Sequence, residues 1–326
     1  MQKVFILATG GTIAGQGEPG KSLNYRPGNL QVEELLSVVP GIGELADILC
    51  IQVAALNSDD LTASHWLNLA RIIEEQAQKE DTAGFVITHG TDTLEETAYF
   101  LHLVLKTRRP VVLTGSMRPA TALSADGPAN LYGAVALAAS EEAVGRGVMV
   151  VSADRIYGAR EVQKVSTFAL DAFDGRDFGC LGYMLDGHPY FYQRSLSSDI
   201  LDTVFSVQGL DKLPRVEILF FALDASPELI SWAAQRADGL VLAGAGNGNY
   251  SLLWNEQVQR LQARHFPVVR CSRIGNGQIT PDDAFDSFSN VIRAGNLPPQ
   301  KAKILLQLAL TYSRDLDEIR RIFDRY

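Results

Sequence analysis

Apolar residues recur along this chain in two alternating rhythms. An unbroken apolar run at residues 4–8 and strand-like, largely apolar runs at 48–56, 84–88, 111–114 and 148–152 have the length of buried strands. Between them apolar positions return every three or four residues. Val32, Leu35, Leu36 and Val39 run up to a Pro40-Gly41 stop, and Trp66, Leu69, Ala70, Ile73 and Ala77 lie opposite a polar face. A third helical stripe is Leu94, Ala98, Leu101 and Leu105, and an Ala-rich stretch spans 130–140. Thr93 and Glu96 have the spacing of a capping box for the third helix. This alternation predicts a parallel sheet with helices on both faces.

From about 155 to 213 the rhythm weakens in a stretch rich in Gly, Tyr, Phe and Asp, where hairpins and then a connector are expected. It resumes with a strand at 216–223, a helix from Pro227, a strand at 239–243, a helix through Val258 and Leu261, and a strand at 268–271. Two helices at 299–312 and 316–323 complete the pattern. The expected fold is α/β. A larger N-terminal parallel-sheet domain, the catalytic one, covers residues 1–190, a linker covers 191–213, and a smaller C-terminal α/β domain covers 214–326.

Composition narrows the function. With 326 residues, 46% of them hydrophobic and 21% charged, the chain can bury a substantial core, which excludes disorder, collagen and a coiled coil. The balance of 29 Lys plus Arg against 38 Asp plus Glu leaves a net charge of −9 with no basic run, so no nucleic-acid partner is expected. No stretch approaches the roughly 20 apolar residues of a membrane span. The run at 4–8 is shorter than the ~7–15-residue apolar region of a signal peptide. As given, the chain reads as cytoplasmic, or as periplasmic or secreted if an export signal was trimmed. The three cysteines are far apart without a C-x-x-C pair, and the five histidines form no H-E-x-x-H, so neither a metal nor another cofactor is expected.

Ligands of parallel α/β sheets bind at the loops beyond the carboxyl ends of the strands. Here those loops are Thr9-Gly10-Gly11-Thr12, Asn57-Ser58-Asp59-Asp60, His89-Gly90-Thr91-Asp92-Thr93, Gly115-Ser116-Met117-Arg118 and, in the second half, Gly244-Ala245-Gly246-Asn247-Gly248-Asn249. Gly, Asn, Asp and Ser are ordinary turn formers. Threonine is not, yet it follows glycine twice, at Thr12 and Thr91. A hydroxyl becomes a nucleophile beside a base or an amine, and glycine-freed backbone N–H groups can hold an oxyanion. Asp92 is placed to orient a lysine or to bind a substrate ammonium. The Gly244-x-Gly246 turn fails the dinucleotide pattern at Asn249, and no phosphate loop of the G-x-x-x-x-G-K-[ST] type occurs.

The segments ILATGGTIAG at the start and VITHGTDTLEETAYFL at 86–101 resemble the two signature motifs of the bacterial asparaginase/glutaminase family. The resemblance spans the whole chain and includes Tyr25, Asn57-Ser58, Met117-Arg118-Pro119, Ser124 to Pro128, Lys164, the loop at 246–249 and the terminal PQKA with LLQLAL. The C-terminal half is more similar to the high-affinity, often exported (type II) branch than to the cytoplasmic one. The resemblance implies hydrolysis of L-asparagine to L-aspartate and ammonia by a threonine nucleophile, without metal or cofactor. It puts Thr12 on the mobile loop as nucleophile with the Tyr25 phenol beside it, and a second cluster on Thr91, Asp92 and Lys164. Which threonine attacks first, or whether Thr91 positions water, stays open. Ser58, Asp59 and the Ser116 backbone would bind the substrate, with Asn249 supplied by a neighbouring subunit. The assembly implied is a homotetramer, a dimer of dimers with shared sites, and no membrane partner.

Two positions depart from the family pattern. Position 59 is Asp where many members carry Gln or Glu, and Ala284, after Asp282 and Asp283, stands where a partner glutamate often meets the tyrosine. Both bear on the choice between asparagine and glutamine, so a dual glutaminase-asparaginase is the alternative activity. A tRNA-dependent amidotransferase subunit would carry a further N-terminal domain, whereas the first strand here begins at Val4. A non-catalytic amino-acid-binding protein would have no use for Thr12, Thr91 and Lys164 together.

Overall fold

Continuous β-branched and aliphatic runs make the strands, and glycine or short polar residues end them. In the computed structural model, which describes residues 1–18, 20–21, 32–195 and 200–326, two compact units form, Met1–Asp211 and Lys212–Tyr326. In chain order the first unit holds β1 (Lys3–Gly10), α1 (Val32–Ser37), α2 (Ile42–Leu45), β2 (Asp47–Leu56), α3 (Ala63–Ala77), β3 (Thr82–Thr88), α4 (Leu94–Val104), β4 (Val111–Thr114), α5 (Gly127–Ala139), β5 (Val148–Ser152) and β6 (Arg155–Gly158). A two-residue ladder of β7 (Gln163–Lys164) and β8 (Phe173–Asp174) follows, then β9 (Gly182–Leu185) and β10 (His188–Phe191).

The main sheet has the order β10-β9-β6-β5-β4-β3-β1-β2. Its strands β1 to β5 are parallel, in the order 2-1-3-4-5. The sheet is not parallel throughout, however. Strands β6, β9 and β10 extend it antiparallel at one edge. Two-residue hairpins with both central residues at positive φ explain this: Ala153 and Asp154 between β5 and β6 (φ 48° and 61°), and Asp186-Gly187 between β9 and β10 (φ 48° and 76°). Asp-Gly is a recognisable hairpin signal, but Ala-Asp is not. Asn130 Oδ1 accepts the Ala153 N–H at 3.0 Å and holds that turn.

One side of the sheet packs Val4, Ile6, Val86, Val112, Met149 and Val151 against Leu131, Ala134, Val135 and Ala138 of α5, all essentially without exposure apart from the helix ends. Residues that follow the hairpin strands also belong to this unit. Phe205 and Val207 are buried, and the Thr203 hydroxyl donates to the Leu103 carbonyl of α4.

The second unit is a four-stranded parallel sheet, β11 (Val216–Phe220), β12 (Gly239–Gly244), β13 (Val268–Ser272) and β14 (Val291–Arg293), in sequence order. Its helices are α6 (Glu228–Ala234), α7 (Leu252–Gln262), α8 (Asp283–Asp286), α9 (Pro299–Tyr312) and α10 (Leu316–Arg325). Trp254 of α7 is fully buried among Ile230, Leu240, Leu242 and Val268, and its indole N–H donates to the Ala225 carbonyl at 2.9 Å. No helix among the described residues is long and apolar enough to cross a membrane.

Candidate active site

Because β1 to β4 run parallel, the loops that leave their carboxyl ends emerge on one edge, and glycine lets them close on one another. A methyl group on Gly11 (φ 81°) would sit 2.4 Å from the Gly90 amide nitrogen. One on Gly90 would sit 2.8 Å from Ser58 Oγ, and one on Gly115 would sit 2.5 Å from the His89 carbonyl and 3.1 Å from Thr91 Cγ2. The loops after β1, β2, β3 and β4 therefore meet. Each carries a candidate hydroxyl: Thr12, Ser58, Thr91 and Ser116. All four residues are buried.

Thr12 opens a single 3-10 turn, Thr12–Ala14, directly after Gly11. Thr91 lies at the centre of the cluster. Lys164 Nζ donates to Thr91 Oγ1 at 2.8 Å and to Asp92 Oδ1 at 2.6 Å. The lysine side chain is 15% exposed and the aspartate 71%, so the pair has one wet side. A hydroxyl, an amine and a carboxylate in series can pass a proton from oxygen to nitrogen and hold the resulting cation. The lysine comes from β7, far along the chain, so the fold assembles this group rather than local sequence.

Buried His89 and Thr97, with half-buried Trp66, hold the β3 loop. The Trp66 indole donates to Thr97 Oγ1 at 2.8 Å, and Thr97 lies 2.8 Å from His89 Nε2. His89 Nδ1 lies 2.7 Å from the Gly90 carbonyl. One proton arrangement satisfies the chain: Thr97 donates to Nε2, and Nδ1–H donates to Gly90. Burial drives the His89 pKa down to about 4, so the ring is neutral near pH 7. On the next loop, Asp126 accepts the Met117 and Arg118 amides, each at 2.9 Å, while Asn130 donates to the Gly115 carbonyl at 3.0 Å. The Ser116 hydroxyl donates to the Arg118 carbonyl at 2.6 Å.

Asp59 is exposed in the 3-10 turn Ser58–Asp60. Asn249 belongs to the second unit, exposed at the end of a tight loop closed by reciprocal bonds with Ala245, at 2.7 and 2.8 Å. Buried Arg270 holds that loop. It pairs with both Asp286 oxygens, at 3.0 and 2.9 Å, and donates to the Asn247 and Thr280 carbonyls. Ala284 is exposed, and Asp282 Oδ1 accepts its N–H at 3.0 Å as the cap of α8. Tyr25 lies outside the described residues.

The capping box expected of Thr93 and Glu96 does not form. Thr93 flanks α4, but its hydroxyl donates to the Ser58 carbonyl at 2.8 Å instead of capping the helix. A tertiary bond that joins two site loops has displaced a local one. Glu95 also escaped the sequence reading. It is buried in the first turn of α4 and accepts the Lys164 backbone N–H. An acidic residue on the helical stripe that carries Leu94 and Ala98 was the available signal.

Against known proteins, the family profile described as Asparaginase, N-terminal matches residues 3–197, and that described as Glutaminase/Asparaginase C-terminal domain matches residues 215–323. A protein named probable L-asparaginase periplasmic, from Haemophilus influenzae, is 41% identical over 328 residues, covering 100% of this chain and 93% of its own. A glutaminase-asparaginase of Acinetobacter glutaminasificans is 40% identical, covering 99% of each chain. The crystal structure of a probable cytoplasmic L-asparaginase from Campylobacter jejuni superposes with a TM-score of 0.96 at 40% identity, covering 100% of both chains. On full-length similarity in both halves, this chain is a member of the asparaginase/glutaminase family.

Proposed function

We propose that this protein is an L-asparagine amidohydrolase that releases L-aspartate and ammonia through a Thr12 nucleophile. One observation carries the reading: Lys164 Nζ lies 2.8 Å from Thr91 Oγ1 and 2.6 Å from Asp92, in a cluster packed against the Gly11-Thr12 loop. The names of full-length relatives support the substrate class.

In the first half-reaction the Thr12 Oγ–carbon bond forms, the carbon–nitrogen bond breaks, and the hydroxyl proton ends on the departing ammonia. Water then cleaves the ester. Thr91 and Lys164 orient that water and take its proton, Asp92 stabilises the ammonium so formed, and the proton returns to Thr12 Oγ as the carbon–Oγ bond breaks. Ser58 and Asp59 hold the α-carboxylate and α-amino groups, and the Ser116 backbone faces the amide. Asn249 reaches the site from a neighbouring chain in a tetramer with shared sites, and the family resemblance gives Tyr25 a part in the Thr12 step. Exposed apolar side chains of the second unit, Phe220, Leu223, Trp232, Leu252, Leu253 and Ile274, all more than half exposed, support burial by another copy.

A coupled ammonia assay on both amides tests the reading. L-Asparagine turns over without added metal, and Thr12→Ala lowers kcat by about 10²–10⁴-fold with the fold intact. A Thr12→Ala protein that turns over normally removes Thr12 from its role. Glutamine differs by one methylene, worth only about 1–3 kcal/mol in a pocket, so slower glutamine turnover is expected beside the main activity.

A further inference from the structure

Lys164 sits on a weak piece of structure. Strands β7 and β8 pair only Gln163 with Asp174 and Lys164 with Phe173, apart from the main sheet. The next backbone bond along, Val165 N–H to the Ala172 carbonyl, is 2.7 Å, but it too stays within the hairpin. The ladder is tied to β6 of the main sheet, where the Tyr157 hydroxyl donates to the Phe173 carbonyl at 2.8 Å, but that bond does not touch the Thr91 loop. The link to the threonine loop comes from Glu95. Its residue is 4% exposed, and its Oε2 accepts the Lys164 backbone N–H across 69 positions of chain.

From these contacts we infer that Glu95 is a positioning residue for the proposed reaction: it seats the backbone of Lys164 so that the amine reaches Thr91 and Asp92. A single five-residue stretch thereby grips the lysine at both ends. Thr91 and Asp92 hold Nζ, and Glu95, in the first turn of α4, holds the main-chain nitrogen. Thr91 and Asp92 lie in the turn that leads into α4, which begins at Leu94, so only a short turn separates the two grips. The hydrogen bond needs an acceptor of the right reach. It does not need the acceptor's charge. A shift of about 1 Å in a reacting group costs up to about a hundredfold in rate, which sets the scale of the effect. This inference rests on the role given to Lys164 above.

The test compares Glu95→Ala, Glu95→Asp and Glu95→Gln in the full-length protein, with Lys164→Met as control. Ala removes the acceptor and Asp withdraws it by one methylene, so each lowers kcat on L-asparagine by about 10–100-fold while KM changes by less than about threefold. Gln keeps an oxygen at the same reach and restores most of the kcat lost in the Ala variant. Hydrogen exchange of the peptide around Lys164 accelerates in Ala and Asp but not in Gln. If Glu95→Ala does not fold, Glu95→Asp decides by the same criteria. Normal kcat in a folded Ala or Asp variant, or a Gln variant as slow as Ala, overturns the positioning role. If Lys164→Met itself turns over normally, the proton-transfer role of the lysine is what has failed, and with it any reason to position it. If Lys164→Met is inactive while Glu95→Ala is active, the failure is confined to Glu95.

Discussion

Gly11 and Gly90 lie so close that a methyl group on the first would sit 2.4 Å from the amide nitrogen of the second. This approach is what brings the Thr12 loop and the Thr91 loop into one cluster. Gly11 also holds φ at 81°, a region that L side chains rarely adopt. Gly11→Ala therefore meets both strain and overlap with backbone that has no rotamer to change. A loss of about 2–5 kcal/mol is expected, with turnover reduced even in the folded fraction. Gly209 (φ 74°) has open space around it, so Gly209→Ala isolates the conformational cost at about 1–2 kcal/mol with activity kept. Urea midpoints and kcat for the two variants separate the effects. Equal losses for both remove the close approach as the cause.

Asp59 is exposed on the loop that carries buried Ser58, where a carboxylate can pair with the α-ammonium of an amino-acid substrate. In the role proposed for Asp59 that charge is the same in the ground state and in the transition state, so the contact would be uniform binding. Asp59→Asn is expected to raise KM for L-asparagine by about 10–100-fold with kcat changed little. Steady-state kinetics decide it, since a fall in kcat at constant KM would put Asp59 in the chemistry instead.

Burial lowers the pKa of His89 from 6.5 to about 4. Between these values the unfolded chain takes up a proton that the native ring refuses. Stability is therefore full above about pH 6.5 and falls as pH drops toward 4. The contribution lost is about 3 kcal/mol at the lower end. His89→Gln removes the titration, and its urea midpoint is expected to lose that part of the pH slope between 6.5 and 4. An unchanged slope would assign acid lability to other groups.

Much of this was legible in the chain. The five parallel strands announced themselves as largely apolar runs, and two of the loops beyond them as glycine followed by threonine. What stayed hidden depends on partners distant in sequence. Thr93 had the spacing of a cap, but Ser58, 35 residues away, takes its hydroxyl. Glu95 looked like ordinary first-turn acid until Lys164 was placed beside it. The antiparallel edge was invisible at Ala153-Asp154 because the pair lacks the glycine that marks such turns. The three-residue strand Val291–Arg293 is too short for any periodicity to register.

Arg270 is wholly buried in the second unit, where Asp286 (23% exposed) pairs with it bidentately. The same guanidinium donates to the carbonyls of Asn247 and Thr280, and Asn247 Oδ1 in turn accepts the Thr280 N–H at 2.9 Å. Removing the carboxylate leaves a desolvated cation with neutral carbonyl partners only. Asp286→Asn is therefore expected to cost about 3–5 kcal/mol, because an uncompensated buried charge is far more expensive than the lost attraction alone. On α10, Arg321 and Glu318 form a pair of the same formal kind, but the arginine is 71% exposed. Arg321→Ala should cost less than about 1 kcal/mol. The urea midpoints of the two variants distinguish burial from mere ion-pair count. Asp286→Asn should also speed hydrogen exchange through 245–249, since the clamp fixes the loop that presents Asn249, whereas Arg321→Ala should leave that exchange unchanged. Two equally small losses would mean that Arg270 finds enough compensation in the Asn247 and Thr280 carbonyls, and that the loop's geometry does not depend on the ion pair.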